Sequence, residues 1–130
     1  MTNPYSTYEN NYIQIESKED LLVKTYEEIL SNLNIAKIAL KENDIKEKAE
    51  RITKVTDAIL VLRASLDLEK GGEIAQNLER LYDFCIEELL KANTLNKEEH
   101  LQNVIDVLTP IYEGFKEARE KLNESKSDNK

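Results

Sequence analysis

Between Ser17 and Thr109 apolar residues recur every three or four positions, and within those bounds the adjacent Gly71 and Gly72 are the only helix breakers. That period traces one face of an α-helix, so the pattern predicts long amphipathic helices packed on one another. Ser17, followed three positions later by Asp20, resembles a capping box and starts the first helix, whose stripe is Leu22, Tyr26, Ile29, Leu33, Ala36 and Leu40. Asn43 and Asp44 punctuate it, and Asp44 with Glu47 caps a second helix with the stripe Ile52, Val55, Ile59, Leu62 and Leu66. Gly71 is expected to take the left-handed conformation that closes this helix. A third helix from about Glu73 carries Ile74, Leu78, Leu81, Cys85, Leu89 and Ala92 and ends near Asn93. Asn96 with Glu99 should cap a fourth, marked by Leu101, Val104, Leu108, Ile111, Phe115, Ala118 and Leu122.

All connections are short, so consecutive helices should be antiparallel neighbours. The expected fold is all-α, an up-down-up-down four-helix bundle over residues 17–122. Residues 1–16 form an N-terminal cap or groove-shielding segment, and 123–130 a polar tail expected to be disordered. Pro110 interrupts the fourth stripe, where it removes a backbone donor and disfavours helical geometry at Thr109. Because the apolar register continues across it, a kink is expected there rather than an end and a restart.

The remaining composition narrows the function. With 130 residues the chain supports one core, and a net charge of −8 with 34% charged residues argues against nucleic acid or an anionic membrane as partner. The single cysteine makes no intramolecular disulfide, and no apolar run reaches the roughly eighteen residues of a membrane span. Met1-Thr2-Asn3-Pro4-Tyr5 lacks the basic and apolar regions of a signal peptide, so a soluble cytoplasmic protein without direct membrane insertion is expected.

Candidate chemistry is sparse. A di-metal carboxylate site in a bundle needs Glu-x-x-His on two helices, whereas His100 is the lone histidine and Lys97 stands three positions before it. A phosphorelay histidine should lie exposed in mid-helix, whereas His100 falls in a first turn, as a solvated residue. Cys85 lies on an apolar stripe with no cation to activate it, and the glycine pair lacks the spacing of a phosphate-binding loop. Acidic pairs such as Glu87-Glu88 and Glu98-Glu99 read as solvated faces. No catalytic group, metal or cofactor is predicted, and the chain is not expected to be an enzyme.

What is left over points to binding. Ile35 and Ile38 fall roughly opposite the first stripe, as an exposed apolar pair. Three of the six tyrosines, Tyr5, Tyr8 and Tyr12, precede the bundle with Ile13 and Ile15, an aromatic density uncommon in freely disordered tails. That segment should dock, either as a permanent cap on one bundle end or as a shield over a groove that a partner can claim.

In order along the chain stand Tyr5, Tyr8 and Asn11, then Ile13-Gln14-Ile15-Glu16-Ser17 leading into Asp20-Leu21-Leu22, then Tyr26-Glu27 with Ala36. Leu66-Asp67, Gly71-Gly72-Glu73-Ile74-Ala75, Asn77-Leu78, Leu81-Tyr82-Asp83 and Leu90-Lys91-Ala92-Asn93 follow. This ordered set resembles the FliS family of flagellar secretion chaperones. Phe115 stands near the C-terminus where that family often has tryptophan, and Pro110 stands where a helix former would be expected. The resemblance implies a non-enzymatic bundle that binds the C-terminal region of flagellin, prevents premature polymerisation and keeps the subunit competent for type III export. It also implies presentation to the cytoplasmic domain of the export gate, with no nucleotide or metal. The expected partner-binding residues are Tyr5, Tyr8, Tyr12, Ile13, Ile15, Ile35, Ile38, Leu81 and Tyr82. The alternatives from the residues alone are a phosphotransfer bundle working through His100 and a generic helical adaptor.

Overall fold

The computed structural model describes residues 17–128. They form four helices: α1 (Lys18–Lys41), α2 (Ile45–Ala64), α3 (Gly72–Leu95) and α4 (Glu98–Asp128). Each packs against two neighbours, α1 and α3 both lying between α2 and α4, so the helices occupy the corners of a square. Side-chain pairs fix the directions. Along the α1–α4 seam Asp20 meets Arg119, Glu27 meets Tyr112, and Lys37 meets Gln102, an antiparallel order. Lys48 with Asn93 and Arg63 with Asp83 show the same order between α2 and α3. The expected all-α, up-down-up-down bundle is what forms.

Two of the expected caps are present. Ser17 Oγ accepts from the Asp20 N–H at 3.1 Å, and Asp44 Oδ1 accepts from the Glu47 N–H at 3.2 Å, each satisfying a donor that a helix start leaves free. The other two boundaries differ from the pattern. α2 stops at Ala64, where the Ser65 hydroxyl donates back to the Leu62 carbonyl at 2.8 Å, and Leu66 lies in the following loop. Asp67 then turns the chain by accepting from the N–H groups of Glu69 and Lys70. Gly71 is not left-handed, with φ −77°; it is Gly72 that takes φ +55°. Gly71 serves close approach instead, because a Cβ there would stand 2.6 Å from the Ala75 Cβ and 2.7 Å from the Asp67 carbonyl oxygen.

Asn96 does not cap α4. It closes α3 in the left-handed conformation (φ 56°), and its side-chain oxygen accepts from Lys48 Nζ at 2.5 Å. Lys48 also donates to the Asn93 carbonyl at 3.0 Å, so a buried ammonium ties α2 to the last turn of α3, where a cation opposes the negative helix end.

The core follows the stripes over most of their length. Tyr26, Ile29, Leu33 and Ala36 meet Ile52, Val55, Ile59 and Leu62, with Cys85, Leu89, Ala92, Leu101, Val104 and Leu108 from the other side. Ile74, expected in the α3 stripe, is 74% exposed; Ala75 and Tyr82 take the inward places. α4 is helical through Pro110, neither ending nor restarting there, and it continues to Asp128 past the predicted bundle limit. Arg119 already reaches Asp20 in the first turn of α1, so the final turns project beyond that helix, and Leu122 is left exposed.

Candidate functional site

Of the expected partner-binding residues, the four within the described range, Ile35, Ile38, Leu81 and Tyr82, do not converge. Tyr5, Tyr8, Tyr12, Ile13 and Ile15 lie outside the described residues. On α1, Ile38 is exposed and Ile35 half-buried, while Leu81 is half-buried on α3, the corner diagonal to α1. Tyr82 is 2% exposed and belongs to the core, where its hydroxyl and that of Tyr26 share a hydrogen bond of 2.6 Å across the bundle centre. In this structure Tyr82 therefore supports the scaffold and presents no surface.

A different apolar feature emerges between α2 and α3. An open cleft of about 280 Å³ is lined by Ile52, Thr53, Thr56 and Asp57 from α2 and by Ile86, Leu89, Leu90 and Asn93 from α3. The hydroxyls of Thr53 and Thr56 already donate to the carbonyls of Ala49 and Ile52, so covering them leaves no O–H donor unpaired. Leu90 is 68% exposed on the rim, and Leu60 and Val61 extend the apolar surface along α2. Polar ties bound the cleft: Lys48 to Asn93 and Asn96 at one end, and Arg63 to Asp83 at 2.6 and 3.3 Å at the other. A shallow, open trough of this kind suits a segment of polypeptide better than an enclosed small molecule. Leu60, Val61 and Leu90 carried the same off-stripe signal as Ile35 and Ile38, so the sequence offered the clue without its location.

The polar chemistry inside the bundle is structural. His100, expected to be solvated, is largely covered, and its Nδ1 lies 2.5 Å from Glu88 Oε2. Glu88, expected on a solvated face, is itself buried. The reason is register: Glu88 sits one position before the core residue Leu89, and the first turn of α4 closes over it. Replacing His100 with alanine should therefore destabilise the protein by about 1–3 kcal/mol in urea unfolding, because a buried carboxylate loses its partner. Affinity for a partner segment should stay at the parent value, since His100 is not among the residues that line the cleft. Cys85 is fully buried, and burial pushes its thiol up to about 12, with the nearby Glu88 carboxylate adding to the shift. A thiol so held is a core residue and no nucleophile at neutral pH. Among the described residues no cluster of histidine, cysteine and carboxylate is suited to a metal ion, and no helix is long and apolar enough to cross a membrane.

The family described as "Flagellar protein FliS" matches residues 1–122, which takes in the Tyr-rich segment, the first three helices and α4 as far as Leu122. The chain belongs to the FliS family. It is 35% identical over 113 residues to the flagellar secretion chaperone FliS of Campylobacter jejuni, covering 87% of this chain and 88% of that protein. The FliS of Salmonella typhimurium is 37% identical over 102 residues, 78% of this chain and 76% of its own. That of Vibrio cholerae is 40% identical over 75 residues, 58% and 55% of the two chains. The FliS relatives carry the name of secretion chaperones and not of enzymes, in line with a core that uses its cysteine and histidine for packing.

Proposed function

We propose that this protein is a cytoplasmic flagellar export chaperone that binds the C-terminal region of flagellin, prevents its premature polymerisation and keeps it competent for type III export. The observation that carries this reading is the family match over residues 1–122, together with relatives named flagellar secretion chaperones. Presentation of the client to the cytoplasmic domain of the export gate belongs to the same proposal.

The physical route uses apolar surface. A client segment that folds as it binds buries roughly 1,000–3,000 Å² and loses about 2–5 kcal/mol or more in ordering, so grooves must supply the difference. The α2–α3 cleft, with Leu90 on its rim, supports this, and Ile35, Ile38 and Leu81 extend the candidate contact surface around the bundle. Tyr5, Tyr8, Tyr12, Ile13 and Ile15 act in the proposal as a shield over the client site that moves aside on binding. The phosphotransfer alternative loses ground, because the His100 side chain is largely covered, whereas a phosphorelay histidine must stand exposed to its partner.

Calorimetric titration with the flagellin C-terminal region should show one client per chaperone and a negative heat-capacity change. No binding to the flagellin of the same cell, with both proteins folded, would sink the proposal. Hydrogen exchange across Tyr5 to Ile15 then separates shield from fixed cap: a displaced shield loses amide protection when the client binds, and a fixed cap keeps it.

A further inference from the structure

Helix α4 changes character at Pro110. Before it, Leu101, Val104 and Leu108 are all fully buried; after it, Phe115 is only half-buried and Leu122 is exposed. Pro110 itself is exposed inside the helix and has no N–H to offer the carbonyl one turn back. Four positions on stands Gly114, also exposed. It has no positive φ, and a Cβ there would meet nothing within 4 Å, so neither backbone conformation nor packing requires glycine at that place. Two of the poorest helix formers thus sit one turn apart on the outside of one helix, where almost any other residue would fit.

Beyond Pro110 the residues packed against the core, Ile111, Tyr112 and Phe115, are only half-buried. The Tyr112 hydroxyl donates to Glu27 at 2.7 Å at an exposed site, and Arg119 lies 3.7 Å from Asp20, a surface pair of small worth. The Phe115 ring stands edge-on to Tyr26 at 5.5 Å between centroids, covering the buried Tyr26–Tyr82 pair. On the near side of Pro110 the helix is fastened by its buried leucines and by the His100–Glu88 and Lys37–Gln102 contacts.

We infer that α4 is jointed at Pro110–Gly114, and that its distal half is an arm that swings off α1 to uncover the apolar seam beneath Phe115. Opening breaks the Tyr112–Glu27 and Arg119–Asp20 contacts and lifts the half-buried Phe115 ring off Tyr26, and it leaves the fastened half in place. The arm's task rests on the proposed chaperone function: it admits part of the client segment against the seam.

The test uses the full-length protein and the double variant Pro110→Ala/Gly114→Ala, which restores the missing donor and the helix propensity at two exposed positions and so should fold. In the parent, amides of residues 111–118 should exchange at least about tenfold faster than those of residues 101–109, and the double variant should slow them at least about tenfold. Equal exchange on both sides of Pro110, or exchange unaltered by the double substitution, overturns the joint. The second readout is association of a synthetic peptide spanning the flagellin C-terminal region, which should be at least about threefold slower with the stiffened arm. Equal association rates overturn the admitting role. If the parent binds no such peptide the chaperone reading fails instead, and the exchange comparison still decides the joint.

Discussion

Raising the pH from 8 to 10.5 should lower the unfolding free energy by about 3 kcal/mol, with the urea midpoint beginning to fall near pH 9. Tyr26, Tyr82 and Cys85 lie together at the bundle centre and are all neutral when protonated. Burial pushes the Cys85 thiol from 9.0 up to about 12, and it raises both tyrosines above their ordinary 10.0. The hydrogen bond to Tyr82 adds to the rise at Tyr26. In the unfolded chain all three regain their ordinary values and release protons that the native state retains. Above pH 9 the unfolded state therefore binds fewer protons, and stability falls by up to about 1.4 kcal/mol per pH unit for each group in turn. Below about pH 8 all three are protonated in both states and contribute no slope. Lys48 works in the opposite direction, since burial lowers its value, but it is one group against three. Cys85→Ala should move the onset from about pH 9 to about pH 10, the range where tyrosine alone ionises. A midpoint that stays flat from pH 8 to 10.5 would mean that water reaches this cluster in the native state.

The helices were legible because their stripes and caps are local. Ser17–Asp20 and Asp44–Glu47 needed only a side chain and an N–H three residues away, and both formed. Asn96 misled because its αL conformation and its bond to Lys48 depend on a residue forty-eight positions away, which no local pattern encodes. The same holds for His100, whose partner Glu88 lies on the preceding helix and whose burial follows from how α4 closes over α3. Gly71 and Gly72 announced a break correctly, but which glycine is left-handed was decided by the Asp67 turn before them. The binding surface was least legible. A period of three or four residues says that Leu60, Val61 and Leu90 point away from the core, but only the packing of α2 on α3 makes Leu90 a wall of a cleft. Tyr82, one residue past the predicted stripe position Leu81, was drawn inward because α3 begins at Gly72 and sets Ala75, Tyr82 and Cys85 facing the centre.

Tyr82→Ala and Leu90→Glu should separate scaffold from surface, since the two residues lie on the same helix with 2% and 68% of their surface exposed. Removing the Tyr82 ring empties a site at the bundle centre and leaves the Tyr26 hydroxyl without its partner, at a cost of about 3–5 kcal/mol, a large share of the total stability of a domain this size. Tyr82→Phe keeps the ring and loses only the hydrogen bond, so it should cost about 1–3 kcal/mol. Leu90→Glu, on the cleft rim, should leave urea unfolding within about 0.5 kcal/mol of the parent. Its effect is on the client: a carboxylate forced against an apolar helix face must be desolvated without a partner, and affinity for the flagellin C-terminal region should drop at least about tenfold. Titrations run well below the denaturation midpoint of each variant keep folding and binding apart. Parent-like affinity in Leu90→Glu would move the client site off the α2–α3 cleft, and parent-like stability in Tyr82→Ala would mean that Tyr82 turns outward in solution and belongs with the binding surface after all.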